Sequence, residues 1–453
     1  MNTSDSEIMD GLLKENDMVE AKEESQADVI IMNTCSVREH AEKRIWNRLT
    51  QFRHLDKKKK KHTILCVSGC MASRLREKLL ASGVDVVVGP DSYLHLPLLL
   101  SEALSGHQAA DTALDASEVY ASVSPRLTDP LPVTQLTIMR GCNNMCSYCV
   151  VPYTRGQERS VPVPILMDSV RRMRDHGYKE VLLLGQNVNS YCDDSRGNIV
   201  RFPELLSSIA EIAPEMRIRF MSPHPKDFPR EMLEVIRDHR NICRCIHLPV
   251  QSGSSSCLRR MNRPYTHEEF VRLVEEIRCT LPGCSVSTDV ISGFCGETEA
   301  EHEDTVRLMT QLRFDHAFMY LFSLREETYA WRHLRDDVTP AEKQRRLEAV
   351  QAAFYAALRG KVAGEAGRRQ LVLVEGESRR SGPGRRQWRG RNDGNRMCVF
   401  DEERVPRGEG GPAEEVAVGD FVVCRVMTPG TGTNVVKPLF KTTLQEFVER
   451  ERE

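Results

Sequence analysis

Three cysteines in one short stretch constrain this chain more than anything else in it. The segment Arg140-Gly141-Cys142-Asn143-Asn144-Met145-Cys146-Ser147-Tyr148-Cys149 spaces them Cys-x-x-x-Cys-x-x-Cys directly after a predicted strand. A glycine-opened loop of that spacing can wrap one cubane iron-sulfur cluster, and three ligands leave one iron open. An open iron can chelate the amino and carboxylate groups of S-adenosylmethionine (SAM). Reductive cleavage of SAM there releases a 5'-deoxyadenosyl radical, so that the cofactor carries the difficult chemistry. Structural zinc instead closes four ligands, usually as Cys-x-x-Cys pairs or a pair with histidines, and no partner pair follows.

The next residues, Val150-Val151-Pro152-Tyr153-Thr154-Arg155-Gly156-Gln157-Glu158-Arg159-Ser160, lengthen the pattern. Over about twenty residues from Gly141 the chain resembles the MiaB-type tRNA methylthiotransferases among the radical SAM enzymes. Sister branches that modify a ribosomal protein or a threonylcarbamoyl adenosine usually depart from Val-Val-Pro-Tyr-Thr-Arg-Gly. With the motifs below, the resemblance extends over nearly the whole chain. It implies an α/β architecture in three parts: a small N-terminal α/β domain (1–100), a radical SAM partial (βα)6 barrel (132–364) and a TRAM-like β-barrel (365–446). Residues 101–131, rich in Ser, Ala, Asp and Pro, read as a linker.

Composition is consistent with this. A chain of 453 residues can hold about three domains, and 40% hydrophobic with 28% charged residues is a globular mix. The longest apolar run, Leu94 to Leu100, is broken by His95 and Pro97, so no membrane span is expected. With a net charge of -2, contact with nucleic acid must come from local patches. Fifteen cysteines scattered without a signal peptide suit a reducing compartment, which iron-sulfur assembly also needs.

In the N-terminal part, an apolar run from Asp28 to Met32 leads into Asn33-Thr34-Cys35-Ser36-Val37-Arg38-Glu39, and a second from Thr63 leads into Gly69-Cys70-Met71-Ala72. Both cysteines thus follow strand ends. The resemblance implies a second 4Fe-4S cluster held by three cysteines, of which Cys35 and Cys70 match two. The family's first cysteine lies in a Gly-Cys-Gln-Met-Asn-like segment, and this chain starts at the methionine of that segment. The expectation is an N-terminally truncated form that cleaves SAM but transfers sulfur poorly. Cys66, on one face of an apolar strand, is expected to be buried and not a ligand. The run Lys57 to Lys61 is expected to be a solvated loop, with contact to a tRNA backbone as the other reading.

From Leu131 onward, candidate strands are Gln135 to Met139, Val181 to Leu184, Arg217 to Met221, Cys245 to Leu248, Val286 to Ile291 and Ala317 to Phe322. Helical patterns separate them, as in Pro164 to His176, Phe228 to His239 and His267 to Cys279. Six strand-helix units predict a parallel sheet curled into a partial barrel, with chemistry at the C-terminal strand ends. Polar words fall there, and the resemblance implies that Gly185, Gln186, Asn187, Ser222 and Gln251 hold the methionine, ribose and adenine parts of SAM. His224 and His247 at strand ends are expected to be structural hydrogen-bonding residues. Asp289 is expected either to face the cationic cofactor or to make a structural hydrogen bond.

The C-terminal part begins with the alternating strand Gln370 to Glu377, followed by an arginine-dense hairpin. Arg379, Arg380, Arg385, Arg386 and Trp388 there suit phosphate clamping and base stacking on an RNA loop, against a plain solvated hairpin. The resemblance implies conversion of N6-isopentenyladenosine next to the anticodon into its 2-methylthio derivative, with two SAM molecules used. The alternatives are a threonylcarbamoyl adenosine or ribosomal-protein substrate, and a non-catalytic, truncated binding or regulatory form. A tRNA anticodon stem-loop is the implied partner, with a monomeric enzyme and unnamed electron and sulfur donors. Gly293-Phe294-Cys295-Gly296-Glu297-Thr298 resembles the animal branch, which implies a mitochondrial location, with the cytoplasm as the alternative.

Overall fold

The computed structural model describes residues 1–36, 39–59, 62–120, 123, 132–382 and 384–450. They form two compact units. The first takes residues 1–127, 137–161 and 323–334, and the second takes 128–136, 162–322 and 335–453.

In the first unit four parallel strands lie in the order β1 (Val29–Thr34), β2 (Ile64–Gly69), β3 (Val86–Val88) and β4 (Ala109–Asp111). Helices cover both faces, so the middle strands read as unbroken apolar runs. Side chains of alternate residues then go to opposite cores. Ile64, Cys66, Val86 and Val88 join Ile8, Met9, Leu12, Tyr93, Leu99 and Leu100 on one side. Leu65, Val67 and Val87 join Leu49, Phe52, Met71, Leu75 and Leu79 on the other. Cys66 is fully buried, as expected, and burial drives its thiol far above the ordinary range.

Two differences from the sequence reading concern its linker. Residues Leu96–Leu104 form a helix with Pro97 in its first turn, and Ala109–Asp111 adds the fourth strand. Ala-Ala-Asp carries no β-branched residue, so pairing with Val86–Val88, not intrinsic propensity, makes it a strand. The helix Asn2–Glu15 was also missed. Residues 121–122 and 124–131 of the expected linker, Val37 and Arg38 of the Cys35 segment, and Lys60 and Lys61 of the lysine run lie outside the described residues. The run's first three residues, Lys57, Lys58 and Lys59, end the helix Glu39–Lys59, where a loop was expected.

The second unit carries the strand-helix repeats. Strands β5 (Val133–Thr137), β6 (Glu180–Leu184) and β7 (Arg217–Phe220) form one sheet in the order β7-β6-β5. Strands β8 (Cys245–His247), β9 (Ser285–Ser292) and β10 (His316–Leu321) form another, all parallel. The parallel bridge between Ile218 and Ile242 continues from β7 toward the second sheet, giving the expected six-strand succession. Intervening helices start on reciprocal caps, Thr266 with Glu269 and Thr298 with Glu301, which satisfy otherwise unpaired backbone N–H groups.

A closed five-stranded barrel completes this unit: β11 (Arg369–Glu377), β12 (Gln387–Arg391), β13 (Met397–Asp401), β14 (Phe421–Thr428) and β15 (Thr433–Thr442), in the order β11-β12-β13-β15-β14. Arg217 and Arg219, on the same face of β7, fix it in place. Arg217 donates to the carbonyls of Arg391 and Leu371 at 3.0 and 2.7 Å, and Arg219 to those of Asp393 and Asn392 at 2.6 Å each. Both guanidiniums are buried, and Arg219 also pairs with Glu180 at 2.7 Å.

Candidate active site

In the first unit, Met139–Arg140 pairs antiparallel with Arg159–Ser160 and closes the base of the cysteine loop. Gly141 opens the loop at φ +75°, and a Cβ there would lie 1.9 Å from the Gln157 carbonyl oxygen, so only glycine fits. The Cys142 N–H then bonds the Gly156 carbonyl at 3.1 Å and the Cys149 N–H bonds the Cys146 carbonyl at 2.9 Å. Cys142 and Cys146 are buried and Cys149 is half-buried. The Val151 N–H donates to Cys149 Sγ at 3.4 Å. Burial pushes the Cys142 thiol up to about 11, against hydrogen bonds from the Asn144 backbone and side chain.

That donor set fits an iron-sulfur cluster. Soft thiol ligands with backbone N–H groups aimed at sulfur are what such clusters take, and a metal displaces the proton that burial otherwise retains. Among the described residues no three His, Cys or carboxylate side chains close on a single ion. A cubane presents its ligands at separate iron corners, so the three cysteines need not meet at one point. A cavity of about 440 Å³ beside the loop is lined by Cys142, Met145, Pro152, Tyr153 and Arg159 among others.

Cys35 and Cys70 are brought side by side by register. Thr34 and Gly69 are the last aligned pair of β1 and β2, and each cysteine is the next residue. Gly69 has φ +89°, and a Cβ there would meet the Thr34 carbonyl oxygen at 2.6 Å, so glycine lets the strand turn into the helix Cys70–Ala81. Cys70 therefore opens a helix.

Beside Cys70 lies a buried charge network that sequence reading missed. Arg155 Nε donates to Cys70 Sγ at 3.2 Å, and its Nη2 donates to Asp5 at 2.6 Å. The other Asp5 oxygen accepts from Arg140 at 3.1 Å, and Asp91 pairs with Arg159 and lies 3.9 Å from Arg140. Three guanidiniums thus face two carboxylates, all nearly solvent-free. Burial opposes the charge on Arg155, but Asp5 and Cys70 overcome it and hold its pKa well above normal. Among the described residues, Arg155 Nη1 and the Tyr93 hydroxyl remain buried without a hydrogen-bond partner. Buried donors of this kind next to a helix-opening cysteine fit an anionic group, such as a sulfide-bearing cluster. The Asp5 side of the network carried no sequence signal, since an aspartate in a helix's first turn reads as a surface residue.

The SAM candidates lie in the second unit, at the C-terminal ends of its strands. Ser222, just past β7, has φ +65°, and Gln251, past β8, has φ +72°. Non-glycine residues held in this region store strain, which gathers at functional sites. Gly185 and Asn187 are buried past β6. The Asn187 amide is occupied at both ends, donating to Asp227 at 3.0 Å and accepting the His224 N–H at 3.2 Å. His224 is held neutral, its pKa lowered to about 2 by burial and then by Arg263 and Lys226. His247 Nε2 lies 3.2 Å from Asp289, the structural pairing expected of it. A second cavity of about 370 Å³ lies at the N-terminal strand ends, lined by Arg217, Arg244, Ser285 and Asp315 among others.

On the C-terminal barrel, Trp388 corrects an expectation. It is 2% exposed, packed among Val372, Val374, Phe400 and Val422, because strand alternation turns it inward. Arg386 caps its ring at 4.4 Å, so the indole is not offered for base stacking. Arg385 pairs with Asp401 at 3.1 Å, and Arg386 pairs with Glu377 and Glu402 at 2.7 and 3.0 Å. Arg379 and Arg380 are exposed.

Comparison with known proteins agrees with these features. Residues 136–309 match the Radical SAM superfamily, and residues 1–89 match the Uncharacterized protein family UPF0004. The tRNA-2-methylthio-N(6)-dimethylallyladenosine synthase of Chloroherpeton thalassium is 44% identical, covering 96% of this chain and 92% of its own. The mitochondrial tRNA methylthiotransferases of Mus musculus and Homo sapiens are 42% and 40% identical, each covering 98% of this chain and 80% and 81% of their own. A radical S-adenosylmethionine methyltransferase of Kitasatospora setae, TsrM, aligns at a TM-score of 0.48 with 15% identity over 65% of this chain and 61% of its own. The match over residues 136–309 gives the chain a radical SAM domain. The chain belongs to the MiaB-type tRNA methylthiotransferase family, the family its cysteine loop resembles.

Proposed function

We propose that this protein converts N6-isopentenyladenosine next to the anticodon of tRNA into its 2-methylthio derivative. The observation that carries this reading is the Cys142, Cys146, Cys149 loop in a chain 44% identical to a synthase named for that product. Cys142, Cys146 and Cys149 would hold a 4Fe-4S cluster, and with SAM bound that cluster would supply the radical chemistry directed at C2 of the adenine. Gly185, Gln186, Ser222 and Gln251 bind SAM, while Asn187, its amide occupied, shapes the loop that receives it. Cys35 and Cys70 hold part of a second cluster, which suits their adjacent positions past β1 and β2. Arg379 and Arg380 on the TRAM-like barrel meet phosphates of the anticodon stem-loop. Relatives named as mitochondrial favour the mitochondrion as its location.

Mass spectrometry of nucleosides from cells lacking the protein tests this. N6-isopentenyladenosine should accumulate as its 2-methylthio form disappears. Unchanged 2-methylthio-isopentenyladenosine would sink the assignment, and loss of a 2-methylthio threonylcarbamoyl adenosine instead would move the substrate to the sister branch.

A further inference from the structure

The radical-cluster segment reaches into the N-terminal cysteine site through one side chain. Arg155 lies six residues after Cys149 in sequence, in the helix Val151–Arg155. Its guanidinium leaves that helix to meet Cys70 Sγ at 3.2 Å and Asp5 at 2.6 Å. Nη1, on the same planar fork, is buried without an acceptor among the described residues. A buried guanidinium with an unused N–H is costly, because the group has given up water without replacement. Tyr93 repeats the pattern: it is fully buried, its hydroxyl has no partner, and Asp5, Arg155 and Cys70 all act on it electrostatically. Two orphaned donors beside one sulfur call for an acceptor of sulfur-like softness and negative charge, and an iron-bound sulfide provides both.

We propose that Arg155 is the positioning residue of the N-terminal cluster site, with one edge fixing Cys70 as a ligand and Nη1, aided by the Tyr93 hydroxyl, donating to a sulfide of the cluster. This rests on the reading that Cys35 and Cys70 hold a second cluster. Asp5 and Arg140 complete the device: Asp5 divides its two oxygens between Arg155 and Arg140, so the Arg155 fork has little freedom to turn away. Hydrogen bonds from a fixed cation to cluster sulfur stabilise the more negative, reduced state, so Arg155 raises the reduction potential of this cluster. It also ties that cluster's ligand to the segment carrying Cys149, making one short covalent and hydrogen-bonded path between the two cysteine groups.

The test uses the full chain carrying Cys142→Ala, Cys146→Ala and Cys149→Ala, reconstituted anaerobically with iron and sulfide so that only the N-terminal site can be loaded. In that background Arg155→Met should lower the midpoint potential followed by electron paramagnetic resonance. It should also cut iron retention against a chelator by about ten-fold or more. Arg155→Lys, which keeps the charge but not the fork, should recover part of both. Tyr93→Phe should give a smaller shift in the same direction, and it decides the matter if Arg155→Met does not fold. A background protein that binds no iron overturns the second-cluster reading and this proposal with it. A loaded background whose potential and iron retention are the same with and without Arg155 overturns the proposal alone.

Discussion

Asp5 gives the most demanding test of the fold around the cysteines. Its carboxylate is fully buried and bridges Arg140 and Arg155, whose side chains are 1% and 4% exposed. Asp5→Asn leaves two buried guanidiniums with one remaining carboxylate, Asp91, near Arg140 and none on Arg155. Breaking a buried pair from one side costs about 3–5 kcal/mol, because the partner charge stays desolvated. Urea unfolding of a unit this size has a slope of about 2 kcal/mol/M, so the midpoint should fall by roughly 1.5–2.5 M. Trp46 and Trp331 report on the first unit and Trp388 on the second, so fluorescence in a Trp388→Phe background isolates the transition. Asp10→Asn, which weakens a solvent-accessible pair with Lys14, should cost less than about 1 kcal/mol. Burial opposes the Asp5 charge, but Arg155 and Arg140 together hold its carboxyl below the usual carboxylate range. A carboxyl depressed on folding adds stability above its unfolded pKa, about 3.9, and loses it as pH falls through the folded value. The gap between wild type and Asp5→Asn should therefore be full at neutral pH and shrink below about pH 4. An unchanged urea midpoint, or a gap that stays constant into acid, would refute the buried-bridge account.

Replacing Cys142, Cys146 or Cys149 with Ala should abolish reductive formation of 5'-deoxyadenosine, and wild-type cleavage in any one variant would overturn the cluster assignment. Ser222→Gly should relieve left-handed strain of about 1 kcal/mol or more, partly offset by glycine's chain entropy, so the second unit gains slight thermal stability while SAM binding weakens. Calorimetry of both quantities decides it, and gain without weakened binding would make the strain incidental. Arg379→Glu with Arg380→Glu should lower tRNA affinity and flatten its salt dependence by about 0.7–0.9 in log-log slope per lost phosphate contact. Arg385→Glu with Arg386→Glu should change the slope less, since Asp401, Glu377 and Glu402 already neutralise those side chains. Equal effects from the two pairs would mean that the acidic partners release the arginines on binding.

What could be read from the sequence was whatever depends on local pattern. The strand starts and the helices His267–Thr280 and Val163–Asp175 fall within a residue or two of their apolar periodicity, because each element buries its own stripe. Cys35 and Cys70 could be named one by one, yet their adjacency needed the β1–β2 register, which no local signal carries. Trp388 failed for the opposite reason: the density of arginine around it suggested a surface. From Trp388 to Arg391, though, burial alternates along the strand, and the arginines at 389 and 391 are the outward neighbours of an inward ring. An aromatic among arginines is a stacking platform only if its own position in the strand faces out.

The same reasoning explains why the network around Asp5 was invisible while the loop it supports was plain. Thr154-Arg155-Gly156 can be recognised as a word, but Arg155 is useful only because a helix distant in sequence brings a carboxylate to it. Arg140 makes the point independently. It is the first residue of the cysteine segment, fully buried, donating to Asp5 and to the Pro90 carbonyl at 2.9 Å, with its guanidinium 4.7 Å from the Tyr120 ring centre. Neither arginine can be an iron ligand, and neither is solvated. Their role is to hold both ends of a loop that has no regular secondary structure, so that three cysteines keep a fixed relation without a helix or strand to set it. Irregular backbone that must be rigid needs such external ties, and buried charge pairs make directional ones. A loop chosen for its ligands is therefore positioned by residues outside it, and those residues are the ones a local reading passes over.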